Sequence, residues 1–268
     1  MRPFLDTSLP IALAHRGGAK EAPENTMPAF EAAVALGYRY LETDTHLTAD
    51  GVLVAFHDAE LDRLTDGTGR IAELPLREVQ QADAGYRFTT DGGRTFPHRG
   101  RRLTVPALHE LLLRFPAVRF NIDAKADAAA GPLVDLVRSI DAFDRVCAAS
   151  FSDSRLAQIR ALSDGRLCTS MGRNAAAVAW LASRSGRMPR MNADLVQVPA
   201  RARGLRVVDR RFVSAAHAAG LQVHVWTVDD EAAMYELLDL DVDGIMTDKP
   251  ELLRTVLTHR GQWPDAAE

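Results

Sequence analysis

Short apolar runs rich in β-branched residues alternate with Ala- and Leu-rich helical segments along nearly the whole chain. Strands are expected at 11–15, 38–44, 118–125, 145–151, 166–170, 194–198, 222–227 and 243–247. Helices are expected at 27–36, 130–140, 153–162, 175–183, 210–219, 231–238 and 250–259. Eight strands at this spacing predict an α/β chain folded as a (β/α)8 barrel rather than an open doubly wound sheet. No Gly-x-Gly-x-x-Gly turn follows the first strand to favour a dinucleotide fold.

The rhythm breaks once. Asp66-Gly67-Thr68-Gly69, Asp91-Gly92-Gly93 and Pro97-His98-Arg99-Gly100-Arg101-Arg102 surround a short helix expected near 76–84. This stretch of about 45 residues far exceeds an ordinary βα loop of about 2–6. We therefore expect one domain over 1–268, with an insertion at 58–102 after the second barrel strand, over the catalytic face, and a loose tail at 261–268. Asp50-Gly51 is a hairpin signal that pairs the run before His57 with the segment after Asp44.

Composition excludes several classes. A net charge of −4 and a pI near 6.1 argue against a nucleic-acid binder that relies on a general basic surface. Cys147 and Cys168 are too few for a disulfide framework. The N-terminus lacks the apolar core of a signal peptide, and no stretch reaches the ~20 apolar residues of a membrane span. A soluble, cytoplasmic protein is expected.

Chemistry-bearing residues sit where apolar runs end, as in α/β enzymes. His15-Arg16-Gly17 ends the first strand, Glu42-Thr43-Asp44 the second, and His57-Asp58 follows Val52–Phe56. Strand alternation puts Glu42, Asp44 and His46 on one face. Asn121, Asp123 and Lys125 share a face at the end of the next barrel strand. Glu42, Asp44 and Asp123 at one mouth would repel one another, and a hard divalent cation such as Mg2+ or Ca2+ would offset that. Pairing of Glu42 or Asp44 with a nearby Arg is the plainer alternative. His15 and His57 are candidates for base and acid in displacement at phosphorus. Arg16 and Lys125, the latter one of only three lysines, would hold phosphate oxygens; a salt bridge to Glu24 is the structural alternative for Arg16.

Pro23-Glu24-Asn25-Thr26-Met27-Pro28 reads as a helix start with Thr26 or Asn25 as its cap. Glu24 could reach back toward His15 or Arg16. Asp58 could orient an imidazole, with Arg63 holding Asp58. Trp226 is either a wall for a small substrate or a core aromatic, and Gln197 could donate a hydrogen bond into the mouth. His224 is expected as a satisfied barrel-interior residue; His46, His98, His109, His217 and His259 carry no assignment.

Together, His15-Arg16-Gly17, Pro23-Glu24-Asn25-Thr26, Glu42-x-Asp44, Asp50-Gly51, His57-Asp58 and Leu61-x-Arg63 resemble the signature of glycerophosphodiester phosphodiesterases. The resemblance continues through 121–125, Val225-Trp226-Thr227-Val228 and Asp243-Gly244-Ile245-Met246-Thr247-Asp248-Lys249-Pro250. It implies a TIM barrel with a small insertion after the second strand, and metal-dependent hydrolysis of a glycerophosphodiester to sn-glycerol 3-phosphate and an alcohol. It further implies His15 and His57 as the catalytic pair, and one divalent cation on Glu42, Asp44 and Asp123. Arg16 and Lys125 become phosphate contacts and Trp226 a wall of the glycerol pocket. One position departs from the family pattern: Asp123 stands where Glu is usual, one methylene shorter. The alternatives are a lysophospholipase D or sphingomyelinase-D-like activity on lipid phosphodiesters, and a non-catalytic phosphodiester-binding barrel. The former needs an apolar or aromatic rim, whereas the insertion is polar and aromatic residues make up only 6% of the chain.

Overall fold

The computed structural model describes residues 2–186 and 188–264. Its elements in chain order are β1 (Ile11–His15), α1 (Met27–Ala35), β2 (Tyr40–Leu47), β3 (Leu53–Ala55), α2 (Leu76–Val79), α3 (Leu108–Arg114), β4 (Arg119–Ala124) and α4 (Ala130–Ser139). There follow β5 (Val146–Ala149), α5 (Asp153–Leu162), β6 (Cys168–Thr169), α6 (Arg173–Ser183), β7 (Leu195–Pro199), the hairpin of β8 (Arg201–Ala202) and β9 (Leu205–Arg206), and α7 (Arg210–Ala218). The chain ends with β10 (Gln222–Trp226), α8 (Glu231–Leu238), β11 (Gly244–Thr247) and α9 (Pro250–His259).

Eight strands pair in parallel in the order β6-β5-β4-β2-β1-β11-β10-β7, a nearly closed (β/α)8 barrel. The remaining gap lies between β6 and β7. Asp194 spans it: its N–H donates to the Thr169 carbonyl at 3.0 Å, and its carboxylate accepts the Thr169 N–H at 2.9 Å and Arg2 Nε at 2.8 Å. Inside the barrel, Phe4 and Leu5 pack with Ile11, Leu13, Tyr40, Cys147, Cys168, Leu195 and Met246. A larger apolar layer fills the space between strands and helices. This is the arrangement that strands buried on both faces require.

All eight expected barrel strands form, several with shorter bounds. β3 pairs antiparallel with the end of β2, with Thr45 opposite Ala55, around the Asp50-Gly51 turn. The helix expected near 76–84 shrinks to α2. α3 and the β8–β9 hairpin were not expected. In α3 the pattern Leu108, Leu111, Leu112 is buried, and Glu110 accepts the Ala107 N–H at 3.0 Å. That helical period was hidden behind a long loop. Residues 54–105 carry a small core of their own, including Phe56, Leu61, Ile71, Val79 and Val105. Of the tail expected at 261–268, residues 265–268 lie outside the described residues, and the Trp263 ring stands 5.1 Å from Tyr38. Among the described residues no helix is long and apolar enough to cross a membrane.

His224 departs from expectation. Its ring is fully buried in the barrel beside Gly244, where a Cβ would lie 2.8 Å from the imidazole. Nε2 meets Gln222 Oε1 at 3.1 Å, but Nδ1 has no partner, and burial pushes the pKa down to about 3. The interior position is as expected; full satisfaction is not.

Candidate active site

Parallel pairing brings the ends of β1, β2 and β4 side by side, with His15 in register with Glu42 and Asp44 with Asp123. Hence residues far apart in sequence share one mouth. After His15 the chain turns sharply. Arg16 has a left-handed φ of 53°, and Gly17 at φ 81° passes so close to α1 that a Cβ would lie 2.8 Å from that of Ala29. Only glycine fits there.

The carboxylates do not face one another bare. Asp44, 1% exposed, has Arg16 Nε at 2.9 Å, off the hydrogen-bonding line, and Lys125 Nζ at 2.7 Å. Burial opposes its charge, but Arg16 and Lys125 outweigh it and hold the Asp44 pKa below its ordinary value. Lys125 also donates to Asp123 at 2.6 Å, leaving Asp123 Oδ1 buried without a partner. Burial still pushes Asp123 up. Glu42 accepts the Arg16 N–H at 3.2 Å and lies 3.7 Å from His15 Nε2. Burial and the neighbouring Asp44 charge push Glu42 up to about 7.

Each histidine meets a carboxylate. His15 Nδ1 lies 2.6 Å from Asp248 Oδ1. Burial alone would lower His15, but Glu42 and Asp248 reverse that and raise it. His57 Nδ1 lies 2.6 Å from Asp58 Oδ1, and Arg63 grips both Asp58 oxygens while reaching Glu24. The two pairings expected for Asp58 and Arg63 are therefore present. His46, left unassigned from sequence, donates from Nε2 to the His57 carbonyl at 3.0 Å.

The remaining candidates occupy the same mouth. Arg16 also bonds Glu24 at 2.9 Å, the structural alternative offered for it, while its Nε lies against Asp44, the Arg pairing offered for that carboxylate. Gln197 donates to Asn121 Oδ1 at 2.9 Å across the barrel. The half-buried Trp226 meets Phe151 edge-on at 5.6 Å. Phe151 is 47% exposed and lies 5.8 Å from Lys125 Nζ, so the mouth has the exposed aromatic surface that the polar insertion did not lead us to expect.

Asn25 is a second correction. Thr26 holds the N-cap position of α1 as expected, but its side chain donates to the Pro23 carbonyl instead of capping, while buried Asn25 donates to Asp44 at 3.2 Å and accepts from Thr43 at 2.8 Å. Sequence reading treated Asn25 as local and missed this role, because its partners lie on the next strand.

Among the described residues no three acidic, histidine or cysteine side chains converge as a ready metal cage. Lys125 bridges Asp44 and Asp123 instead. The donor set nonetheless suits a hard cation. It is all carboxylate oxygen, one buried oxygen of Asp123 is orphaned, and Glu42 and Asp123 are both raised by burial that a divalent charge would counter.

Comparison with known proteins points the same way. Residues 15–252 match the model of the glycerophosphoryl diester phosphodiesterase family. A Mycobacterium tuberculosis protein named probable glycerophosphodiester phosphodiesterase 2 is 40% identical, over 96% of this chain and 94% of its own length. A solved glycerophosphodiester phosphodiesterase of Agrobacterium tumefaciens superposes with a TM-score of 0.74 at 28% identity, covering 91% of this chain and 99% of the other. An Oleispira antarctica phosphodiesterase, solved with the product sn-glycerol-3-phosphate, superposes with a TM-score of 0.75 at 25% identity, covering 93% and 97%.

Proposed function

The chain belongs to the glycerophosphoryl diester phosphodiesterase family and is a phosphoric diester hydrolase that forms glycerol 3-phosphate; from there we propose that His15 and His57 move the protons of the reaction on a substrate held by Arg16 and Lys125. The observation that carries this reading is the shared mouth. Both imidazoles stand beside the Glu42–Asp44–Asp123 cluster, where Arg16 and Lys125 supply the positive charge a phosphodiester needs.

One histidine takes the proton of the glycerol 2-hydroxyl as its oxygen attacks phosphorus, and the other protonates the leaving alcohol. Water then opens the cyclic phosphate with the two roles reversed, giving sn-glycerol 3-phosphate. A divalent cation, Mg2+ or Ca2+, held by Glu42, Asp44 and Asp123 would supply Lewis-acid polarisation and a template for the phosphate oxygens. Arg16 contributes a planar fork and Lys125 a point charge to those oxygens. Trp226 walls the glycerol, and Gln197 lines the floor beside Asn121. The single barrel domain carries an insertion at 58–102 over this face, which lends Asp58 and Arg63 to the His57 side.

A second reading, a lipid phosphodiester as substrate, is favoured by the exposed Phe151 against Trp226. Turnover of glycerophosphocholine, glycerophosphoethanolamine and lysophosphatidylcholine, with and without chelator, separates the two. We expect chelator-sensitive hydrolysis of the deacylated substrates. Hydrolysis of the lipid alone would favour the second reading, and chelator-resistant turnover would remove the cation.

A further inference from the structure

His57 has its carboxylate next in sequence, while the partner of His15 lies more than two hundred residues away and was not anticipated. Asp248 follows β11, whose strand lies beside β1 with Thr247 in register with Ala14. Both neighbours of its side chain are fixed. The Asp248 N–H donates to Asp229 Oδ1 at 2.8 Å, and its carbonyl accepts the Lys20 N–H at 3.1 Å. Asp229, which follows β10, also accepts from Thr247 Oγ1 at 3.1 Å and from Lys20 Nζ at 2.8 Å. Loops after three adjacent strands thus pin the backbone of Asp248 from both sides, and its carboxylate meets one ring nitrogen of His15.

We propose that Asp248 is the positioning residue for His15, and that Asp229, anchored by Lys20, holds Asp248 in place. The inference rests on the reading of His15 as a proton-transfer residue. A carboxylate accepting from Nδ1–H selects that tautomer, aims Nε2 into the mouth beside Glu42, and steadies the imidazolium formed when the ring takes a proton. The site then holds two parallel carboxylate–imidazole pairs: Asp58 steadied by Arg63, and Asp248 steadied by the Asp229–Lys20 link.

The test is steady-state hydrolysis of glycerophosphocholine by wild type, Asp248→Asn, His15→Ala and the double variant, joined to 15N NMR of the His15 ring in wild type at a pH where it is neutral. We expect Asp248→Asn to lower kcat by about 10²–10⁴-fold with KM little changed. It should add nothing to His15→Ala, and the wild-type ring should carry its proton on Nδ1. Wild-type kcat in Asp248→Asn while His15→Ala is inactive would overturn the inference and leave the active-site reading standing. A wild-type ring protonated on Nε2 would overturn it without any variant needing to fold. Full turnover by His15→Ala would overturn the active-site reading itself.

Discussion

Lys125 shows how much charge one side chain settles at this mouth. Its ammonium touches Asp44 and Asp123 together, so a cation entering between them must displace it or share its carboxylates. The shorter Asp123 sharpens the effect, because a longer arm would place an oxygen further into the mouth. Asp123→Asn is expected to weaken Mg2+ or Ca2+ binding by at least about tenfold, read by calorimetry. Unchanged affinity would remove Asp123 from the ligand set. On the other side, burial works against the Asp58 charge, but Arg63 and His57 outweigh it and hold the carboxyl down to about 2 from 3.8. A carboxyl depressed on folding adds stability that is complete above its unfolded pKa and is lost as pH falls through the folded one. The gap in melting temperature between wild type and Asp58→Asn should therefore narrow as pH drops from about 4 toward 2. A gap that stays constant through that window would contradict the pairing.

Asp194 spans the gap between β6 and β7. Asp194 joins Arg2, the Thr169 N–H and the Thr169 carbonyl. Asp194→Ala keeps the backbone bond but leaves the Thr169 N–H unpaired, at an expected loss of about 1–3 kcal/mol in urea unfolding. No loss would mean that the seam closes without it. At this scale the sequence was most legible. A strand buried on both faces reads as an unbroken apolar run that turns polar at its end, so β1, β2, β4 and β10 announced themselves together with the residues they deliver. β6 forms over two residues only, because its pairing stops at the open seam. α3 carries its period over seven residues behind an irregular stretch, too short a signal to stand out.

For the whole molecule, function comes from bringing distant loops to one end of the barrel. Strand alternation foretold that Glu42 and Asp44 share a face, since that follows from a two-residue period. It could not foretell Asn25 on Asp44 or Asp248 on His15, which depend on strand order around the barrel. The same convergence couples cation binding to stability. Ligand that binds only the folded chain at 100 times its Kd adds about 2.7 kcal/mol. Mg2+ or Ca2+ should accordingly raise the melting temperature of wild type and fail to do so in Asp44→Asn. Equal shifts in both proteins would place the cation elsewhere. The central claim, that two histidines at this mouth carry the protons of phosphodiester hydrolysis, is tested most directly by following glycerophosphocholine by 31P NMR in wild type, His15→Ala and His57→Ala with the divalent cation present. Glycerol 3-phosphate is expected to accumulate in wild type, with each variant slower by about 10²–10⁴-fold. A near-wild-type rate in either variant would contradict the account.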